Sequence, residues 1–174
     1  MHVFLTGDRQ IGKSRAINGA LAQLGRPVYG FRTRFLTRER GSSSLYMAPA
    51  NNPEGISEDS MVALLQEGKM RPLTERFDTL GVRLLREARQ HPEGIILMDE
   101  CGHLEKNALV FQAEIKACLD GDIPVLGVLR RDQAWHDFIK RHPKVTVLTV
   151  DERNRADMAG RVAELIQQNN GGVL

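Results

Sequence analysis

The chain has 174 residues, 41% of them hydrophobic and 26% charged, which excludes a disordered or fibrous chain and leads us to expect one globular domain over residues 1–174. Its 24 basic and 22 acidic residues leave a formal charge of +2, too balanced to point to nucleic acid or a membrane surface as partner. Cys101 and Cys118 have neither CxxC nor zinc-ligand spacing, and no stretch approaches the ~20 apolar residues of a membrane span, so a reducing, cytoplasmic setting is expected.

His2 to Thr6 is a short apolar run that reads as a strand, and Lys13 to Leu24 places Ala16, Ile17, Ala20, Leu21 and Leu24 at helical spacing. Between them GDRQIGKS, Gly7 to Ser14, satisfies G-x-x-x-x-G-K-[ST] in the strand-to-helix setting that this phosphate-binding loop requires. Glycine lets the backbone curl so that successive N–H groups face phosphate oxygens, while the helix directs its positive end at the same anion. The expected phosphate-binding set is Gly7, Asp8, Arg9, Gln10, Ile11, Gly12, Lys13, Ser14 and Arg15. Lys13 is expected to neutralise the β and γ phosphates, and the Ser14 hydroxyl to take one position on Mg²⁺. The alternative is a chance glycine-rich turn with a surface lysine.

Val28 to Leu36 alternates as a strand should, RERGSSS supplies a turn, and LYMA resumes an extended pattern, together predicting a hairpin. Ser57 is a good helix cap with Glu58 and Asp59 in a first turn, so a short helix is expected to about Glu67. Thr74 is expected to cap a longer helix through Arg89, with Phe77, Leu80, Leu84, Leu85 and Ala88 on one face. Gly94 to Met98 and Ile123 to Leu129 are near-continuous apolar runs, as in strands buried on both faces, with a helix near Leu109 to Leu119 between them. A short helix at Trp135 to Lys140, a strand at Val145 to Val150 and a final helix capped by Asp151 complete the pattern, and the terminal NNGGVL is expected to fray.

The strand IILM ends in Asp99 and Glu100, where a Walker-B carboxylate emerges at the carboxyl end of a strand. Asp99 is the candidate metal ligand beside Ser14, and Glu100 the candidate to orient or deprotonate the attacking water. The alternative for Glu100 is a solvated or ion-paired strand-end carboxylate. Arg130 and Arg131 follow IPVLGVL, so either has the reach to stabilise charge on a γ-phosphate, and Arg130 is taken as the catalytic candidate; a solvated basic pair is the alternative. Arg32 and Arg34 share one face of a strand opposite Tyr29, Phe31 and Phe35, and a solvated face is the simpler reading. No Asn/Thr-Lys-x-Asp sequence selects guanine, and Asn154 or Arg155 is placed to meet a base.

Taken together, GDRQIGKS, GFRT, FDTLGVRLL, ILMDECGHLE and VTVLTVDERNR resemble a small nucleoside-triphosphatase family that includes the cancer-related nucleoside triphosphatase of animals. The resemblance spans nearly the whole chain, and DECGHLE, with its closing Glu105, is its most specific part. It implies a three-layer α/β sandwich with a mostly parallel sheet of the P-loop NTPase type and a hairpin insertion. It further implies hydrolysis of an NTP, ATP or GTP among them, to NDP and phosphate with Mg²⁺ and broad base selectivity, with Asp99 on the metal, Glu100 on water, and Lys13 and Ser14 on phosphate and metal. The chain departs from the family at His103, where lysine is common, and at Phe35 and Thr37, where an acidic residue and an arginine are usual. Those departures keep two alternatives in view: a small-molecule kinase, and a nucleotide-dependent binding module serving an unidentified protein partner. Neither nucleic acid nor membrane is expected among the partners.

Overall fold

Apolar runs without polar alternation need cover on both faces, and that requirement organises the molecule. The computed structural model describes residues 1–37 and 43–168. Strands β1 (His2–Gly7), β2 (Val28–Thr37), β3 (Ser43–Pro49), β4 (Met61–Gln66), β5 (Lys69–Pro72), β6 (Ile95–Cys101), β7 (Val125–Leu129) and β8 (Val145–Val150) form one sheet in the order β5-β4-β3-β2-β6-β7-β1-β8. From β2 through β6, β7 and β1 to β8 every pair is parallel. From β2 outward through β3 and β4 to β5 every pair is antiparallel.

The helices are α1 (Lys13–Leu24), α2 (Thr74–Arg76), α3 (Val82–Ala88), α4 (Leu109–Asp120), α5 (Asp137–Lys140) and α6 (Met158–Gln168). Because side chains alternate along a strand, β1 sends Val3 and Leu5 to one face and Phe4 to the other, and β6 divides Ile95 and Leu97 from Ile96 and Met98. Ala16, Ile17 and Ala20 of α1 and Met158, Val162 and Ile166 of α6 close the first face. Leu84 and Leu85 of α3 and Phe111, Ile115 and Leu119 of α4 close the second, where Phe31 and Phe111 meet with ring centroids 5.5 Å apart. The result is a three-layer α/β sandwich of the P-loop NTPase type. Among the described residues no helix is long and apolar enough to cross a membrane.

The expected strands of the parallel half, the helices α1 and α4 and the β2–β3 hairpin are all present; residues 38–42 of that hairpin's turn and the terminal NNGGVL lie outside the described residues. Three expectations are corrected. The helix expected from Ser57 to Glu67 is a single 3₁₀ turn, Glu58–Ser60, followed by the β4–β5 hairpin. Ser57 N–H donates to Ser60 Oγ at 3.1 Å and Ser60 N–H to the Ser57 carbonyl at 3.0 Å, closing the turn on itself, and Glu67 and Gly68, at φ 49° and 74°, then make the two-residue bend that suits a twisted hairpin. Thr74 is the first helical residue and not the cap, because Leu73 N–H is held by the Val62 carbonyl at 2.8 Å at the end of the β4–β5 pairing. Beyond it a π-helical turn, Phe77–Gly81, in which the Thr79 hydroxyl bonds back to the Glu75 carbonyl at 2.8 Å, joins α2 to α3. Asp151 does not cap α6, which starts at Met158; its Oδ1 accepts from Arg153 N at 2.8 Å and Asn154 N at 3.0 Å, a local turn that wins over helix initiation.

Candidate functional site

The loop after β1 can turn as tightly as it does because of its glycines. Gly7 sits at φ 144° with the place of a Cβ only 2.5 Å from the Val150 carbonyl of β8, so no other residue fits there. Gly12, at φ 115°, delivers the chain into α1, whose first turn has no side-chain cap and so leaves its N–H groups for an anion. Lys13 folds back over the loop, its Nζ donating to the carbonyls of Gly7 at 2.9 Å and Asp8 at 2.6 Å. Partial burial draws its pKa below the ordinary lysine value, with Arg131 adding to the effect, while the carboxylates of Glu100 and Asp8 oppose it. Asp8 itself is held from outside by Arg131, 2.6 Å away.

Across from the loop, Asp99 and Glu100, the two residues before the last of β6, are joined by a cis peptide. In the β2–β6 register Arg32 stands opposite Asp99, and its guanidinium donates to Asp99 Oδ2 at 3.1 Å and to Asn18 Oδ1 of α1 at 2.8 Å. Burial lifts the Asp99 carboxyl above its ordinary range and Glu100 adds to this, whereas Arg32 works against it. The Thr33 hydroxyl fixes the strand end, donating to the Asp99 carbonyl and accepting from Glu100 N–H, both at 3.3 Å.

Arg9, Gln10, Gly12, Lys13, Ser14, Arg15 and Glu100 line one cavity of about 260 Å³. Of the loop residues expected to bind phosphate, Arg9, Gln10, Gly12, Lys13, Ser14 and Arg15 therefore meet the carboxylate expected to act on water in one space, whereas Gly7, Asp8 and Asp99 do not line it and Asp99 is held by Arg32. Ile11 faces a second, larger cavity of about 840 Å³ on the outer side of the loop, between Gln10, Arg15 and Asn18 and the Arg155–Ala159 turn. Arg130 does not line the phosphate cavity. Its N–H donates to the Cys101 carbonyl at 2.9 Å and its guanidinium lies 3.0 Å from His103 Nδ1, in a neighbouring chamber that also contains Glu100 and Arg9. Burial, then the Arg130 and Lys106 charges, hold His103 below its ordinary pKa, and because a guanidinium can only donate, Nδ1 is the acceptor in this contact.

The segment after Glu100 is built around Glu105, which is 2% exposed and accepts from Gly102 N–H at 3.0 Å. Burial pushes its carboxyl up to about 7. Trp135 anchors the same segment by donating its indole N–H to the Gly102 carbonyl at 2.8 Å. Sequence reasoning did not single out Arg32 as a partner of Asp99, nor Thr33, Asn18 or the Asp8–Arg131 pair as parts of the site. For Arg32 and Thr33 the only available signal is strand register, which the sequence pattern leaves open until β2 is paired with β6.

The family model described as NTPase matches residues 2–163. The chain is 28% identical over 175 residues to the nucleoside-triphosphatase THEP1 of Methanosarcina barkeri, covering 97% of this chain and 98% of that one, and 24% identical over 168 residues to the THEP1 of Methanosarcina acetivorans, covering 93% and 94%. The crystal structure of THEP1 from the hyperthermophile Aquifex aeolicus superposes with a TM-score of 0.75 at 18% identity, over 96% of this chain and 99% of that one. The solution structure of a human cancer-related nucleoside triphosphatase gives 0.68 at 20% identity, over 96% and 97%. At that identity the two solved structures speak to the fold.

Proposed function

The chain belongs to the NTPase family, and on that premise we propose that it is a Mg²⁺-dependent nucleoside-triphosphate phosphohydrolase, converting NTP to NDP and phosphate with broad base selectivity. The observation that carries this reading is the single cavity shared by Lys13, Ser14 and Glu100. The loop N–H groups and the start of α1 bind the phosphates, and Lys13 supplies a positive charge that has only to leave two backbone carbonyls to reach them.

The hydroxyl of Ser14 and the carboxylate of Asp99 are the hard oxygen donors that would hold Mg²⁺. Arg32 occupies Asp99 Oδ2 and leaves the other oxygen available, and no group of three His, Cys, Asp or Glu residues among the described residues forms a self-sufficient metal cage. This donor set fits an ion that takes its remaining positions from phosphate and water, and when bound it supplies positive charge to the β- and γ-phosphate oxygens. Glu100 orients the attacking water and accepts its proton as the water oxygen bonds to the γ-phosphorus and the bond to the β–γ bridging oxygen breaks. Arg9, at the cavity wall, stabilises the developing charge, and Arg130 acts from the adjoining chamber.

The base has the space between α1 and the Arg155–Ala159 turn, where the lining offers the Arg155 guanidinium and small apolar groups, with Gln10 and Asn18 as amide side chains. Such a lining stacks on any base and discriminates weakly between base edges, which supports broad selectivity. Phosphate release from ATP, GTP, CTP and UTP with Mg²⁺ tests this: rates should agree within about tenfold. Absolute dependence on one base would overturn the selectivity claim.

A further inference from the structure

The chamber beside the phosphate cavity is larger than hydrolysis requires. It encloses about 400 Å³ and shares two residues, Arg9 and Glu100, with the phosphate cavity, so the two spaces meet at those side chains. A water molecule takes about 30 Å³ of the liquid, whereas small-molecule sites start near 300 Å³.

The wall facing Glu100 is apolar and is supplied strand by strand by the antiparallel end of the sheet. Phe35 of β2 pairs with Leu45 of β3, and Leu65 of β4 pairs with Met70 of β5, and all four line the chamber. Phe35 lies two residues beyond Thr33 and four beyond Phe31, on the same face of β2. Phe31 is buried under Phe111 of α4, but Phe35 is 55% exposed and Leu65 37%, because the sheet runs on past its helical cover. An exposed apolar wall opposite a charged carboxylate is the make-up of a binding site for a small organic molecule with one polar end. On the polar side, among the described residues, neither Arg9 nor Arg130 makes an ion pair within 4 Å; the Arg130 guanidinium lies 3.0 Å from His103 Nδ1, and its charge acts on the buried Glu105 carboxyl.

We propose that this chamber binds a small alcohol with an apolar body, which lies against Phe35, Leu45, Leu65 and Met70 and presents its hydroxyl to Glu100 as an acceptor for the γ-phosphoryl group. The assignment rests on the nucleotide site described above and names a second substrate for it. In the transfer the alcohol oxygen bonds to the γ-phosphorus, the bond from that phosphorus to the β–γ bridging oxygen breaks, and NDP departs with the bridging oxygen. The hydroxyl proton passes to the Glu100 carboxylate and then to solvent. The products are a phosphate ester and NDP, and water is the competing acceptor whenever the chamber holds no alcohol.

The test is product partitioning by the full chain with Mg²⁺ and ATP, with benzyl alcohol, 2-phenylethanol and 1-hexanol as probes. NDP and inorganic phosphate are quantified separately and the phosphate ester is sought by ³¹P NMR. With a probe present, NDP should exceed inorganic phosphate by roughly twofold or more, saturably, the difference appearing as ester. Leu65→Glu, and independently Phe35→Glu, should bring the two products back to equal amounts by charging the apolar wall, while Leu109→Glu, at a 69% exposed apolar residue outside the chamber, should keep the wild-type excess. NDP equal to inorganic phosphate with all three probes overturns the acceptor site and leaves the hydrolase reading intact. An excess that survives both wall variants also overturns the site. No nucleotide cleavage in any mixture overturns the hydrolase reading and the acceptor site together.

Discussion

Strands β6, β7 and β1 lie between parallel neighbours and under helices on both faces, so Leu97, Ile96, Val3 and Phe4 are fully buried or nearly so. Strands β4 and β5 end the same sheet with antiparallel pairing, and there Leu65 and its partner Met70 face a chamber open to solvent. The parallel half is the buried frame that brings the Gly7–Ser14 loop and Glu100 to one cavity. The antiparallel half has little packed on its outer strands, and what it contributes is an apolar part of the chamber that Glu100 also lines. A buried frame and a partly exposed apolar wall are thus separated along one sheet.

The first way to sharpen that contrast is to remove the charge that the parallel half brings to the phosphates. Lys13→Ala should lower Mg²⁺-dependent phosphate release by about 10²–10³-fold, the usual scale for losing one preorganised charge or donor in a reaction centre; a change below about tenfold would take Lys13 out of the reaction. The second compares cores. Leu97→Ala, at a fully buried position, should cost about 2–5 kcal/mol in urea unfolding, whereas Leu65→Ala should cost less than about 1 kcal/mol because its site is already part open. Similar losses at both positions would contradict the division of the sheet.

A third prediction concerns the seam between the halves. Burial raises the Glu105 carboxyl from 4.5 to about 7, so in the fold it keeps a proton that the unfolded chain has already lost. Its contribution to stability is therefore present below pH 4.5 and lost as the pH rises to about 7. Glu105→Gln, which keeps an acceptor for Gly102 N–H, should match the wild type near the lower limit and exceed it above neutrality, by a margin growing to at most about 3 kcal/mol. A margin that does not change with pH would show that the carboxyl ionises normally. The smallest effect is expected at the β4–β5 bend: Gly68 sits at φ 74° with nothing within contact distance of an added Cβ, so Gly68→Ala should cost about 1 kcal/mol through backbone conformation alone.

The same division explains what could be read from the sequence. Parallel strands buried on both faces announce themselves as IILM and IPVLGVL, and the Gly7–Ser14 loop has a motif whose glycine and lysine spacing follows from how phosphate is held. The antiparallel end carries no such mark. MVALL is five apolar residues, short enough for either a helix turn or a strand, and a serine cap before it favours helix, whereas the chain bends at Glu67 and Gly68 into a hairpin. At Asp151 the side chain is a capping residue as expected, but it caps a turn, because a carboxylate satisfies nearby N–H groups wherever they are closest. Arg32 on Asp99, and the four-strand wall facing Glu100, depend on register across strands distant in sequence, which no local pattern encodes.

The central claim is that Glu100, set at the end of β6 beside the phosphate loop, activates the attacking water. Mg²⁺-dependent phosphate release from ATP by wild type and Glu100→Gln, with nucleotide binding measured on both, tests it most directly. The account predicts binding retained within about threefold and release reduced by about 10²-fold or more in the variant, since the amide can occupy the site but cannot take the proton. Undiminished release in Glu100→Gln would contradict it and would move the chemistry elsewhere in the cavity.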